Sequence, residues 1–257
     1  MMTVPQTNKV AIITGGAGGI GKAIAETLVA QNITVVISDI NTEKGAQVAS
    51  TLEGLFVEAD LSSTEGCRTL VDQVTQHYGR VDILINNVGV QHISPIADFP
   101  EQKWAAMIQL MLVSPFILTK LVWPLMAQRG AGRIINMGSI HSHVASLNKS
   151  AYVSAKHGLI GLTKSTALEG AAHGITANAV CPAYVKTPLV ESQIADQAKT
   201  LGIPEAAVIE QVMLEPAAIK RLIDPAEVAE LVAYLCSEKA SAITGSAFDI
   251  DLGWVAR

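Results

Sequence analysis

Tyr152 and Lys156 stand four residues apart in Tyr152-Val153-Ser154-Ala155-Lys156, the spacing that puts two side chains on one face of a helix. An ammonium beside a phenol stabilises the phenolate. The pair therefore predicts a tyrosine whose pKa falls from its usual value of about 10 toward the range of a working general base. Ser139 lies 13 residues before the tyrosine, after a short apolar run, and is placed to hydrogen-bond a reacting oxygen. The trio could remove a hydroxyl proton and return it in the reverse direction. Tyr-x-x-x-Lys alone is common on helices as a solvated pair, so its meaning depends on a second feature.

That feature is the run Thr14-Gly15-Gly16-Ala17-Gly18-Gly19-Ile20-Gly21, which follows an apolar pentapeptide and opens a helical pattern. Glycines let the chain turn sharply and approach a pyrophosphate, whose charge is favoured by the free N–H groups of a helix start. Asp39 stands 18 residues past Gly21, at the end of the second apolar run. A carboxylate there accepts the ribose hydroxyls of NAD and repels the 2′-phosphate of NADP. The glycine loop has no Lys or Arg to offset it, so NAD is the expected cofactor.

These residues need a frame. Short apolar runs at Val10–Thr14, Val35–Ser38, Leu55–Ala59, Ile83–Asn86, Ile134–Met137, Ala177–Val180 and Ala247–Ile250 read as buried strands. Between them apolar residues recur at helical spacing, as at Ile20, Ala23, Ile24 and Leu28. Such alternation builds a parallel sheet, because each parallel connection requires a crossover. The expected fold is α/β: one Rossmann-type domain over residues 1–257, doubly wound, with a seven-stranded parallel sheet and helices on both faces. The stretch from about 188 to 224 is helical without a strand and sits where a substrate lid would cover the carboxyl ends of the strands.

Bulk properties narrow the class. A net charge of −5 without a basic cluster argues against a nucleic-acid partner. The most apolar region, Met107–Met126, is interrupted by Ser114, Pro115, Lys120 and Pro124, which predicts a buried helix in place of a membrane span. The polar start Met1–Lys9 does not read as a signal peptide. Cys67, Cys181 and Cys236 form no CxxC and read as reduced thiols of a cytoplasmic protein. His141 and His143 alternate like a metal pair, but no third ligand lies at a sensible sequence spacing, so no metal is expected in the chemistry.

Thr14-Gly15-x-x-x-Gly19-x-Gly21, Asp60-Leu61, Asn86-Asn87-Val88-Gly89, Ser139, Tyr152-x-x-x-Lys156 and Cys181-Pro182 with Thr187 together resemble the short-chain dehydrogenase/reductase family from end to end. The resemblance implies a catalytic set of Ser139, Tyr152 and Lys156. It implies that Asp60 faces the adenine, that Asn87 belongs to the segment steadying the central strand, and that Lys156 also holds the nicotinamide ribose. Thr187 would contact the carboxamide, and Thr14, Gly15, Gly19, Ile20, Gly21, Asp39, Leu61 and Gly89 would complete the cofactor site. It also implies a homotetramer.

Within that family, Gln91-His92, His141, Asn148-Lys149-Ser150-Ala151-Tyr152, Ala155-Lys156-His157-Gly158, Thr187-Pro188-Leu189-Val190-Glu191 and Gly253-Trp254-Val255-Ala256-Arg257 resemble the bacterial D-3-hydroxybutyrate dehydrogenases. The implied reaction is reversible NAD-dependent oxidation of a small hydroxy acid to its keto acid. Gln91, His141, Lys149 and Gln193 would hold the carboxylate, with Tyr184 and Trp254 lining the pocket. A four-carbon acid offers little apolar surface, so a cation and amide donors must orient it.

Three positions depart from the family pattern. Met111 replaces an asparagine associated with proton relay, Ala183 a glycine after the sixth strand, and Tyr184 a tryptophan. Another NAD-linked hydroxy-acid or secondary-alcohol dehydrogenase, and a non-catalytic NAD-binding sensor, remain open alternatives.

Overall fold

The computed structural model describes residues 8–256; the polar run Met1–Thr7 and the terminal Arg257 lie outside the described residues. Seven strands form one parallel sheet: β1 (Val10–Thr14), β2 (Thr34–Asp39), β3 (Leu55–Glu58), β4 (Ile83–Asn86), β5 (Gly132–Met137), β6 (Ile175–Pro182) and β7 (Ala247–Ile250). Their order is β3-β2-β1-β4-β5-β6-β7, so the chain reverses its winding between β1 and β4. The helices are α1 (Gly19–Ala30), α2 (Thr42–Thr51), α3 (Thr64–Tyr78), α4 (Glu101–Ile108), α5 (Ser114–Arg129), α6 (Ser150–Gly170), α7 (Pro188–Leu201), α8 (Glu205–Val208) and α9 (Pro225–Cys236). The doubly wound architecture expected from the alternating pattern is the one observed.

Strands covered on both faces read as continuous apolar runs, because successive side chains point to opposite sides. Ile13, Ile37 and Ile85 join Ile24 and Leu28 of α1 and Val228 and Val232 of α9 in one cluster. Their neighbours Ile12, Val36 and Leu84 pack on the other face with Leu118, Val122 and Met126 of α5. Strand β6 (Ile175–Pro182) extends two residues beyond its apolar run Ala177–Val180 at each end. Within it the Asn178 amide donates to the Ile243 carbonyl at 2.8 Å.

The helical stretch Glu101–Arg129 is long and apolar enough to cross a membrane by length and composition alone. It is instead a helix of the domain core: Leu118, Val122 and Met126 are buried against the sheet. A π-helical turn at Gln109–Val113 separates α4 from α5. There the Ser114 hydroxyl donates to the carbonyls of Gln109 and Leu61.

The segment read as a lid is helical as expected, with α7, α8 and a π turn at Ile209–Met213. It carries its own apolar cluster of Val190, Ile194, Val208 and Met213. One isolated bridge, Val185 to Ile223, ties its two ends together.

Leu28 is fully buried in the cluster shared by α1 and α9. Leu28→Ala is expected to lower unfolding stability by about 2–5 kcal/mol in urea denaturation. A loss below about 1 kcal/mol would show that this interface repacks freely.

Candidate active site

A cavity of about 460 Å³ opens at the carboxyl ends of the strands, over the reversal between β1 and β4. Open α/β sheets bind ligands at that place. The glycine loop forms one wall. Gly15 and Gly19 hold positive φ values of 63° and 52°, a conformation that costs a side chain strain. A Cβ at Gly21 would lie 2.3 Å from the Gly15 carbonyl oxygen and 2.7 Å from Asn87 Nδ2. Helix α1 starts at Gly19 with no acidic residue in its first turn, leaving its amide end free for an anion.

Asn87 fastens the loop to the sheet. Its Nδ2 donates to the carbonyls of Thr14 (2.9 Å) and Gly15 (3.1 Å), and its backbone N–H donates to Thr14 Oγ1. Asp39 lines the cavity with its carboxylate oriented by the N–H groups of Ala17 (3.1 Å) and Asn41 (2.9 Å). Asp60, held below the usual carboxylate range by its hydrogen bonds to Ser62, lies in the same wall with Leu61. Gly15, Gly19, Ile20, Asn87, Gly89 and Thr187 also face the cavity. Thr14 and Gly21, expected to bind the cofactor, stand behind this surface: Thr14 anchors Asn87, and Gly21 leaves the loop room to close.

Helix α6 brings Tyr152 and Lys156 to the cavity opposite Ser139. Ser139 Oγ accepts the His141 backbone N–H at 3.2 Å and hydrogen-bonds the Tyr152 phenol. Lys156 Nζ lies 5.6 Å from the Tyr152 ring centre. The predicted lowering of the tyrosine pKa is not what the protein alone produces. Burial pushes the phenol up, and the Ser139 bond offsets only part of that. The physical reason lies in Lys156, which spends its ammonium on the Met137 carbonyl at 2.6 Å and is itself held down to about 8 by burial.

A second polar group closes the far end. Lys149 is 5% exposed, and burial lowers its pKa to about 8. Its Nζ lies 3.3 Å from His141 Nε2 and 3.4 Å from the Tyr184 hydroxyl. His141 is driven down to about 3 by burial and by the Lys149 charge, so its imidazole is neutral. Gln193 reaches the cavity from α7, and Gln91 from the loop after β4, where its side chain also accepts the His92 N–H.

Trp254 does not line the cavity. It packs edge-on against His141, with 6.3 Å between ring centres, and donates its indole N–H to the Met213 carbonyl. Its place is behind the histidine because the C-terminal turn buttresses the lid. Met111 lies in the π turn, buried against Phe99, Ala151 and Ala155 under the helix that carries Tyr152. Ala183 avoids positive φ, which removes the need for glycine there. Sequence reasoning missed Ile40, Val88 and Val90, which also line the cavity. The available signal was position: Ile40 and Val88 lie within two residues of a strand's carboxyl end, and Val90 four residues past one.

The model of the short chain dehydrogenase family matches residues 9–198. The chain belongs to the short-chain dehydrogenase family. It is therefore an oxidoreductase of a family that uses nicotinamide cofactors. It is 44% identical over 254 residues to the uncharacterized oxidoreductase YxjF of Bacillus subtilis, covering 97% of this chain and 99% of the other. It is 43% identical over 257 residues to the D-beta-hydroxybutyrate dehydrogenase of Rhizobium meliloti, covering 97% and 99%. Among solved structures, actinorhodin polyketide ketoreductase with NADPH superimposes at a TM-score of 0.93, with 31% identity and coverage of 98% and 99%.

In this short-chain dehydrogenase, Gly21→Ala is expected to weaken binding of the reduced nicotinamide cofactor at least about ten-fold, or ~1.4 kcal/mol, with the far-ultraviolet circular dichroism kept. Unchanged binding by fluorescence titration would show that the loop tolerates the clash.

Proposed function

We propose that the chain catalyses the reversible, NAD-dependent oxidation of D-3-hydroxybutyrate to acetoacetate. The observation that carries this reading is the Lys149 ammonium. It is buried in the cavity wall, its named polar neighbours are a neutral imidazole and a phenol, and it has no carboxylate within ion-pair distance among the described residues. A buried unpaired cation costs several kcal/mol. A substrate carboxylate would supply the missing charge, and Gln91 and Gln193 amides would complete its hydrogen bonds. The D-beta-hydroxybutyrate dehydrogenases among the relatives support the same substrate.

In this reading Tyr152 takes the C3 hydroxyl proton while Ser139 donates a hydrogen bond to the developing carbonyl oxygen. Lys156 keeps positive charge beside the phenol. Bound NAD supplies the hydride acceptor, and its positive ring adds the stabilisation of the phenolate that burial withholds. Closure of α7 brings Gln193 over the substrate and excludes water. Asp39 favours NAD, since its carboxylate would meet the 2′-phosphate of NADP. Exposed Phe116 on α5 and Leu168 on α6 fit burial between subunits of a homotetramer. Another small hydroxy acid would use the same clamp.

NAD reduction with D- and L-3-hydroxybutyrate, and with neutral secondary alcohols, tests the reading. Rapid D-selective turnover is expected, falling by at least about three orders of magnitude in Tyr152→Phe while NADH binding is kept. Turnover of neutral alcohols alone would overturn the substrate assignment.

Lys149→Met should raise KM for the hydroxy acid strongly and change neutral-alcohol turnover little; equal losses on both would make Lys149 structural. Because the ammonium titrates near 8, it carries its charge below that pH and loses it above. The wild-type KM for the acid should therefore climb as pH rises beyond about 8, with no such climb in Lys149→Met.

A further inference from the structure

The cavity does not account for a second cluster of ligating side chains. His143, Cys181 and Asp249 present a ring nitrogen, a thiol sulfur and a carboxylate oxygen that all lie within 4.8 Å of one another. None of the three lines the cavity. Their assembly is invisible to sequence spacing because it uses three elements. Cys181 on β6 pairs in register with Asp249 on β7, and His143 comes from the turn that follows β5. Of the alternating histidines, only His141 turns into the cavity; His143 Nε2 lies 3.0 Å from Asp249 Oδ1.

We propose that His143, Cys181 and Asp249 form a binding site for a zinc-like divalent cation, separate from the cavity. The donor set fits that class of ion. One nitrogen, one sulfur and one oxygen suit borderline-soft Zn²⁺, while Mg²⁺ and Ca²⁺ prefer oxygen alone. A thiolate and a carboxylate balance the two positive charges, with the imidazole neutral. On binding, the sulfur–hydrogen bond breaks, a sulfur–metal bond forms, and the proton passes to buffer. With metal–ligand bonds of about 2.0–2.3 Å, tetrahedral donors stand roughly 3.3–3.8 Å apart. The observed spread therefore requires movement of about 1 Å. His143 and Asp249 are partly exposed, at 33% and 36%, and can make that adjustment. They also leave water access to a fourth position, above a sulfur that is fully buried.

The ion would be coupled to the chemistry through the backbone. A Cβ on Gly138 would lie 2.6 Å from Cys181 Sγ, so the sulfur rests directly beneath the residue preceding Ser139. Ser142 Oγ, which accepts the Ser139 N–H at 3.2 Å, lies against the same glycine. An ion on the sulfur would staple the Ser139 turn to β6 and β7.

Titration of the chelator-stripped full chain with Co²⁺ tests the site without reference to turnover. A sulfur-to-cobalt charge-transfer band is expected to saturate at one ion per chain and to be displaced by Zn²⁺. It should vanish in Cys181→Ser, persist in Cys67→Ser and Cys236→Ser, and need at least about ten-fold more metal in His143→Ala and Asp249→Asn. The last two positions lie partly exposed, so they report even if Cys181→Ser fails to fold. Absence of the band in the wild type, or titrations unchanged in both His143→Ala and Asp249→Asn, would overturn the proposal.

Discussion

Strands β1 and β4 are neighbours in the sheet, yet the chain leaves them toward opposite sides. The gap this opens at their carboxyl ends must be held open enough for a ligand and closed enough to keep the sheet intact. The Asn87 amide meets both demands. By donating to the carbonyls of Thr14 and Gly15 it replaces the ladder bonds that end with the strands, and it fixes the glycine loop at the start of α1. The glycine-loop wall of the cavity takes its position from that junction. Asp39 is oriented through Ala17 of the loop, and Thr187 packs close against Gly19 from the other side.

Once the cleft exists, burial becomes the main electrostatic force within it. It lowers Lys149 and Lys156 to about 8, drives His141 to about 3 and raises the Tyr152 phenol. Each shift opposes the charged form. In the proposed reading, ligands complete the charged states of these groups: a carboxylate at Lys149, and a positive ring beside Tyr152. A ligand that displaced water from the cavity would act strongly on these groups through its charge. Binding and proton transfer are linked by the same physical cause.

The sheet was legible because parallel strands buried on both faces are short apolar runs, and all seven were read within about two residues at most ends. The convergence of Ser139, Tyr152, Lys156 and Lys149 on one cavity was legible because these residues are local to one turn and one helix. What escaped was long-range. Trp254 reads as a pocket residue through the resemblance to the hydroxybutyrate dehydrogenases, but its orientation depends on Met213, 41 positions away. Thr14 and Gly21 belong to the right motif and yet serve the loop from behind. The rise that burial imposes on Tyr152 in the protein alone also escaped, since a lysine four residues away says nothing about the Met137 carbonyl that occupies its ammonium.

The lid follows from the same logic. Its segment lacks a strand, so it cannot join the sheet and must find stability in its own cluster of Val190, Ile194, Val208 and Met213. A small separate core is a weaker hold than the two large ones on the sheet faces, and elements of that kind open at lower free energy than the body of a domain. The connection runs through Tyr184 and Thr187, both of which line the cavity. Tyr184 packs on the lid cluster and places its hydroxyl 3.4 Å from Lys149. An anion drawn to Lys149 would therefore act on the residue that joins the sheet to the lid. On the proposed reading, attraction at the far end of the cavity and closure over it would be two consequences of one buried charge.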